Sequence, residues 1–321
     1  MKKEDLRIVF MGTPEFAVET LRAIVENNYR VVAVVTQPDK PVGRHGSVLQ
    51  PSPVKQYAMA QGLPVLQPEK MKDPAFVEQL RSYDANLQVV VAFRMLPEVV
   101  WGMPALGTFN VHASLLPQYR GAAPINWAVI NGETRTGVTT FFLDHQIDTG
   151  RIIMQLPFDI PDEADVEYVY DGLMHLGADI CLQTLEHIVE SNGCPESKQQ
   201  DEIADGELHN APKIFKETCQ IDWNQPSKSI YDFVRGLSPY PGAWTALTTA
   251  NGQSTTLKIL RTTRTQLPPS APGTISTDRR HIFIATADGQ LQIDELQLAG
   301  KKRMAAADFL NGTKNLDSFH C

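Results

Sequence analysis

The chain of 321 residues predicts two bodies in succession: a doubly wound, mainly parallel α/β sheet, then a smaller antiparallel β-barrel. Three observations carry this expectation. Short apolar runs alternate with amphipathic helical stretches over residues 1–190. The apolar period stops over residues 191–210, "SNGCPESKQQDEIADGELHN", a polar and acidic stretch that reads as a linker. Residues 211–321 then hold only short strand-like segments separated by glycine turns.

The elements follow in order. "RIVFMG" is an apolar run ending in glycine, as a buried parallel strand is. In "TPEFAVETLRAIVENN", Thr13 is the expected N-cap and Pro14 the first helical residue. Phe16, Ala17, Leu21, Ile24 and Val25 form that helix's apolar stripe. "YRVVAVVTQ" is a second buried strand. "SPVKQYAMAQG" and "DPAFVEQLRSY" are helices, each opened by a capping Ser52 or Asp73 before proline. "ANLQVVVAF" and "GTFNVHA" are strands, "AAPINWAVING" a helix, "TGVTTFFLD" a strand, and Val166 to Asn192 a long amphipathic helix. This alternation defines a Rossmann-like sheet. Beyond the linker, "AWTALTTANGQSTTLKILRTT" is a hairpin turning at Asn251-Gly252, and a second turn falls at Asp288-Gly289. Short strands in a domain of this size suggest an OB-like barrel, a type that handles oligonucleotides. Phe233, Tyr240 and Trp244 are expected to pack rather than to stack on bases.

Composition narrows the class. Hydrophobic residues make up 42% and charged residues 21%, which suits a globular protein with a full core. No stretch has the length and apolarity of a membrane span, and the first strand starts too early for a secretory signal. Cys181, Cys194, Cys219 and Cys321 are irregularly spaced with no C-x-x-C pair. Neither a zinc site nor a disulfide framework is expected, and a cytoplasmic location is. The net charge of −8 is unevenly spread. Residues 211–321 carry 13 Lys+Arg and 9 Asp+Glu, against 16 and 28 in the remainder. A basic tail on an acidic body suggests that this end meets a polyanion.

The first strand-to-helix turn excludes a common ligand class. "MGTPEFA" has one glycine where a dinucleotide fingerprint needs three, Pro14 lacks an N–H, and Glu15 places negative charge where pyrophosphate would sit. Hydride chemistry with a nicotinamide is therefore not expected.

"FNVHASLLPQYRGAAP" carries more chemistry. Asn110 and His112 stand two apart in a strand and share one face, at the carboxyl end where α/β sheets bind ligands. "FFLDHQIDTGR" follows another strand and supplies Asp144, His145 and Asp148. A carboxylate beside His112 would orient the imidazole and stabilise its charged form. Asn, His and Asp suit acyl transfer to an amine: the His takes the amine proton, and donors stabilise the oxyanion. Ser114 follows without an arrangement that would make it a nucleophile. A single D-T-G in an α/β context does not make an aspartic protease, which needs two such carboxylates.

These residues resemble the folate-dependent formyltransferases along nearly the whole chain. "FMGTPEFA", "VVTQPDKPVGR", "PSPVK", "NVHASLLPQYRGAAPI" and "DTG" are similar to that family's N-terminal domain; "IDW", "VRGLSPYPGAW" and "LQLAGKKRMAAADFLNG" are similar to its C-terminal domain. The resemblance implies a formyl group moving from 10-formyltetrahydrofolate, a cosubstrate used without a metal, to the α-amino group of methionyl-initiator tRNA. It implies that Asn110, His112 and Asp148 are catalytic, and that Ser114, Leu115, Leu116 and Pro117 form the folate-binding turn, offering free backbone groups to a flat pterin. Arg120 either holds this loop or meets an anion. The resemblance also implies tRNA contact by Lys40, Arg44 and Lys55 in "TQPDKPVGRHGSVLQPSPVK", a loop where His45-Gly46-Ser47 departs from the family pattern. Lys301, Lys302 and Arg303 of "GKKRM" are the expected contacts in the tail. A monomer acting without a membrane is expected. The alternatives are another formyltransferase of the same superfamily, acting on a purine precursor or an amino sugar nucleotide, and a non-catalytic RNA-binding protein.

Overall fold

The computed structural model describes residues 1–42, 48–204, 206–249, 251–278, 280–313 and 316–321. Their contacts divide the chain into two units. The first comprises Met1–Gly121, Thr136–Asp159 and Tyr170–Asn210; the second comprises Ala122–Arg135, Ile160–Val169 and Ala211–Cys321.

The elements up to residue 211 are β1 (Arg7–Gly12), α1 (Glu15–Glu26), β2 (Arg30–Val35), β3 (Lys40–Val42), β4 (Val48–Gln50), α2 (Pro53–Ala60), β5 (Val65–Leu66), α3 (Pro74–Ser82), β6 (Leu87–Val91), α4 (Glu98–Trp101), β7 (Thr108–His112), β8 (Arg120–Gly121), α5 (Pro124–Ile130), β9 (Arg135–Phe142), β10 (Ile152–Asp159), α6 (Val166–Glu190) and β11 (Asn210–Ala211). Seven of the strands form one sheet in the order β10-β9-β7-β6-β1-β2-β5. The pairs β1–β2, β1–β6, β2–β5 and β6–β7 are parallel, and β9 runs antiparallel to β7. The sheet is thus mixed, with the parallel, Rossmann-like part running from β7 to the β5 edge. Strands covered on both faces carry little polarity, and Val9, Met11, Ala33, Val35 and Val90 are buried with Phe76 and Leu80 of α3. Apart from Ala33, each such side chain contributes about 1.5–3 kcal/mol by leaving water.

Helix α1 starts one residue later than expected. Pro14, extended at φ −79° and ψ 176°, is its N-cap, and Thr13 Oγ1 is buried without a partner. Gly12 serves packing: a Cβ there would lie 2.6 Å from Cβ of Ala17, so strand end and helix approach only without a side chain. Ser52 and Asp73 cap as expected, accepting from the backbone N–H groups of Lys55 and Ala75. The polar stretch after α6 packs rather than hangs free, because Gln200 is buried in it.

In the second unit, α7 (Ser227–Leu237) precedes β12 (Ala243–Thr248), β13 (Ser254–Arg264), β14 (Ile275–Thr277), β15 (Ile282–Ala285), β16 (Gln290–Leu298), β17 (Met304–Ala305) and α8 (Ala306–Gly312). The strands pair antiparallel in the order β12-β13-β16-β15-β14, with β17 on β16, and form a curled half-barrel. Register shifts near Arg261 bend β13, as an inserted residue does. Trp223, Val234, Leu257, Ile259, Ile284, Ile293 and Leu296 fill the core. Phe233 and Trp244 pack against that core, but Tyr240 is 81% exposed and does not pack as expected. Two earlier segments complete this unit. Asn126 donates to the carbonyl of Gly236, Arg235 donates to that of Ala164, and Asp162 pairs with Lys228 and Arg264.

His320 laces the two sheet edges together. It bridges Thr248 at the end of β12 and Thr274 before β14, while the Cys321 N–H donates to the Gly273 carbonyl at 3.0 Å. Gly273 lies at φ +81°, where a Cβ would also overlap the Cys321 carbonyl oxygen. Gly273→Ala is expected to destabilise this unit by roughly 1–3 kcal/mol, lowering its calorimetric unfolding temperature by several degrees. An unchanged transition would contradict the lacing. No helix among the described residues is long and apolar enough to cross a membrane.

Candidate active site

β7 ends at His112, between β6 and β9, with Asn110 opposite Val90 and Phe141 and His112 opposite Thr139. His112 is 6% exposed, its ring edge-on to Phe141. Its Nε2 lies 3.0 Å from the Tyr119 carbonyl oxygen. A carbonyl only accepts, so Nε2 carries a hydrogen and donates. The remaining nitrogen, Nδ1, faces Asp148 Oδ2 at 3.9 Å, too far for a direct hydrogen bond. In the neutral ring Nδ1 is therefore a bare proton acceptor that looks onto a carboxylate.

Asp148 is presented by a tight turn. Its φ is +55°, and its Oδ2 accepts from the Gly121 N–H at 3.0 Å. Asp144 holds the same turn: its Oδ1 accepts from the Gln146 N–H and the Thr149 hydroxyl. His145 is exposed beside Trp101 and Glu98 and takes no part. A Cβ on Gly150 would overlap the Phe142 carbonyl oxygen, so only glycine lets this turn return to β9.

Asn110 Oδ1 is buried and has no partner. An unmet buried polar group costs about 1–3 kcal/mol, so its presence here calls for an explanation. Asn110, His112 and Asp148 therefore present three polar functions at one strand end.

The turn at Ser114, Leu115, Leu116 and Pro117 differs from the expectation of free backbone groups. Ser114 is fully buried, and its hydroxyl donates to the Gln118 carbonyl at 2.6 Å. Thr139 Oγ1 donates to the Ser114 carbonyl and accepts from the Leu116 N–H. Gln155 Nε2 donates to the Leu116 carbonyl, and the Gln118 N–H to that of Leu115. The side chain of Leu116 packs on Phe141 and Ile152. Leu115, Leu116 and Pro117 border an open cavity of about 1110 Å³ with Gln155 and His187, and none of Asn110, His112 and Asp148 lines it.

Two further residues tie the site together. Arg120 holds the loop: its Nε and Nη2 both donate to Gln200 Oε1, at 2.9 and 2.6 Å. Gln200 Nε2 donates to the carbonyls of Asp148 and Gly150. Gln200 gave no sequence signal, lying in a stretch without apolar period.

The expected tRNA contacts are unequal. Lys40 is exposed on the β3–β4 hairpin. Lys55 is engaged by Asp39 at 2.6 Å; hydrogen bonds from Lys55 and Gln67 hold the Asp39 carboxyl below its usual range. Arg44, with His45-Gly46-Ser47, lies outside the described residues. Lys301 and Lys302 are exposed in the turn from β16 to β17. Arg303 is paired with Glu295 through Nε and Nη2, so its charge is compensated rather than free. Among the described residues no cluster of three or more His, Cys, Asp or Glu is placed to hold a metal ion.

Known proteins agree with this architecture. A formyl transferase model matches residues 6–185, and a formyl transferase C-terminal domain model matches residues 213–314. A methionyl-tRNA formyltransferase of Parabacteroides distasonis is 61% identical over 323 residues, covering 99% of each chain. One from Porphyromonas gingivalis is 48% identical over 316 residues, covering 97% of each. Among solved structures, the N-formyltransferase from Helicobacter canadensis in complex with folinic acid and dTDP-3-aminofucose superposes with a TM-score of 0.64 at 20% identity, over 90% of this chain and 98% of that one. HypX from Aquifex aeolicus in complex with tetrahydrofolic acid gives 0.62 at 18% identity, over 96% and 47%. These two share the fold.

Proposed function

This chain belongs to the formyl transferase family, and from that premise we propose that it transfers a formyl group from 10-formyltetrahydrofolate to the α-amino group of methionyl-initiator tRNA, giving N-formylmethionyl-tRNA for translation initiation. The full-length match to methionyl-tRNA formyltransferases carries this reading, since it spans both the α/β unit and the basic tail.

The site residues take roles from their geometry. The amine forms a bond to the formyl carbon and must lose a proton. His112 Nδ1 receives it, because Nε2–H is already given to Tyr119. Asp148 faces the imidazolium so formed, without having to take the proton itself. The carbonyl oxygen gains charge as the carbon becomes tetrahedral, and the Asn110 amide donates to it. As the bond from carbon to the folate nitrogen breaks, His112 returns the proton to that nitrogen. Ser114, Leu115, Leu116 and Pro117 form the donor-side turn, kept rigid by Thr139 and Gln155 so that apolar side chains meet the pterin.

Residues 1–190 carry the chemistry in this reading, and residues 211–321 hold the tRNA. Lys40, Arg44, Lys301 and Lys302 contact phosphates; Arg303 contributes less because Glu295 already holds it. The enzyme works in the cytoplasm as a monomer. The test is formyl transfer measured in parallel with methionyl-initiator tRNA, glycinamide ribonucleotide and an amino sugar nucleotide. Product on the tRNA alone is expected, and product on either small acceptor alone would overturn the assignment. Replacing Lys301 and Lys302 together by alanine is expected to lower the steepness of log Kd against log salt by about 1–2, with Arg303→Ala changing it less. An unchanged slope, measured by tRNA binding across a salt series, would remove these lysines from the interface.

A further inference from the structure

We infer that Gln200 is a positioning residue for formyl transfer, fixing Asp148 in front of His112; this rests on the role proposed for Asp148. The segment around it reads as linker, yet Gln200 is only 2% exposed while Lys198, Gln199, Asp201 and Glu202 are all exposed. A glutamine amide offers two donors and two acceptor positions. All four are used here. Nε2 donates to the carbonyls of Asp148 at 2.8 Å and Gly150 at 2.9 Å; Oε1 accepts from Nε and Nη2 of Arg120. The two carbonyls flank Thr149, so one side chain grips the turn at both ends. The grip bears on a turn whose Asp148 sits at φ +55°, in the left-handed region that is uncommon for residues other than glycine, although Asp enters it more readily than most.

The second half of the contact acts on the carboxylate. Arg120 is followed by Gly121, whose N–H donates to Asp148 Oδ2. Gln200 thus controls both the backbone beneath Asp148 and the loop that aims its carboxylate. A displacement of about 1 Å at a catalytic group can lower a rate by about 10²-fold, so this grip sits where position matters.

The experiment is a double-mutant cycle in the full-length protein, read as kcat and KM for methionyl-tRNA and 10-formyltetrahydrofolate. Gln200→Ala is expected to lower kcat by about 10–100-fold with both KM values within about two-fold. In an Asp148→Ala background the same substitution is expected to change kcat by less than about two-fold, because nothing is left to position. A residue that merely stabilised the fold would subtract equally in both backgrounds. Gln200→Glu supplies a second variant in case alanine impairs folding. It keeps the acceptor for Arg120 but lacks the N–H groups, and regains one donor only when protonated, so its activity relative to wild type is expected to rise as pH falls. Wild-type kcat in Gln200→Ala, equal losses in both backgrounds, or a pH-independent ratio for Gln200→Glu would overturn the inference. Wild-type turnover in Asp148→Ala alone would instead remove the role of Asp148, and this inference with it.

Discussion

His112→Ala is expected to lower single-turnover formylation by about 10³-fold, while binding of tRNA and of folate changes by less than about three-fold. The split follows from the ring's environment. Nε2–H is committed to the Tyr119 carbonyl, which anchors the ring. Nδ1 alone is left for proton transfer, so truncation removes the acceptor without removing a binding surface. The strand end persists, because β7 is held by β6 and β9 through its backbone. Rapid-quench formylation with pre-bound substrates, alongside equilibrium binding, checks both parts. A wild-type rate would show that another group takes the proton; equal losses in rate and affinity would show that His112 shapes the pocket.

The second large effect belongs to a residue with no chemistry. Gly150→Ala is expected to lower kcat by about 10²-fold and to destabilise the first unit by about 2–4 kcal/mol. The added Cβ would overlap the Phe142 carbonyl oxygen, which is backbone and has no alternative rotamer to adopt. Relief must come from the turn that carries Asp148 and receives the Gln200 hydrogen bonds, so the carboxylate leaves its place before His112. Calorimetry together with steady-state kinetics separates the two components. A variant with wild-type kcat and an unchanged transition would show that the turn tolerates a Cβ beside the Phe142 carbonyl.

How much of this was legible depended on whether a feature is local. The shared face of Asn110 and His112 follows from strand geometry alone, and the Ser52 and Asp73 caps follow from a side chain reaching two or three residues ahead. The turns at Asn251-Gly252 and Asp288-Gly289 are likewise set by adjacent residues and sit between paired strands. What distant partners decide could not be read. Whether Arg303 is a free cation depends on Glu295 across a strand pair, and Lys55 is claimed by Asp39 sixteen residues away. β9 runs antiparallel to β7, a direction that its own residues do not signal. The Ser114–Pro117 turn looked open because nothing nearby signals that Thr139 and Gln155 close its backbone. Gln200 is the extreme case: its importance lies entirely in atoms 50 to 80 positions earlier.

The second unit gathers residues 122–135 and 160–169 along with everything after residue 211. A ribosome therefore delivers two of its pieces long before the rest. Asn126 must wait for Gly236, and Asp162 for Arg264, more than a hundred codons in each case. At roughly 5–20 residues per second, those segments stay uncovered for about 5–20 s, the interval in which a chaperone would find them.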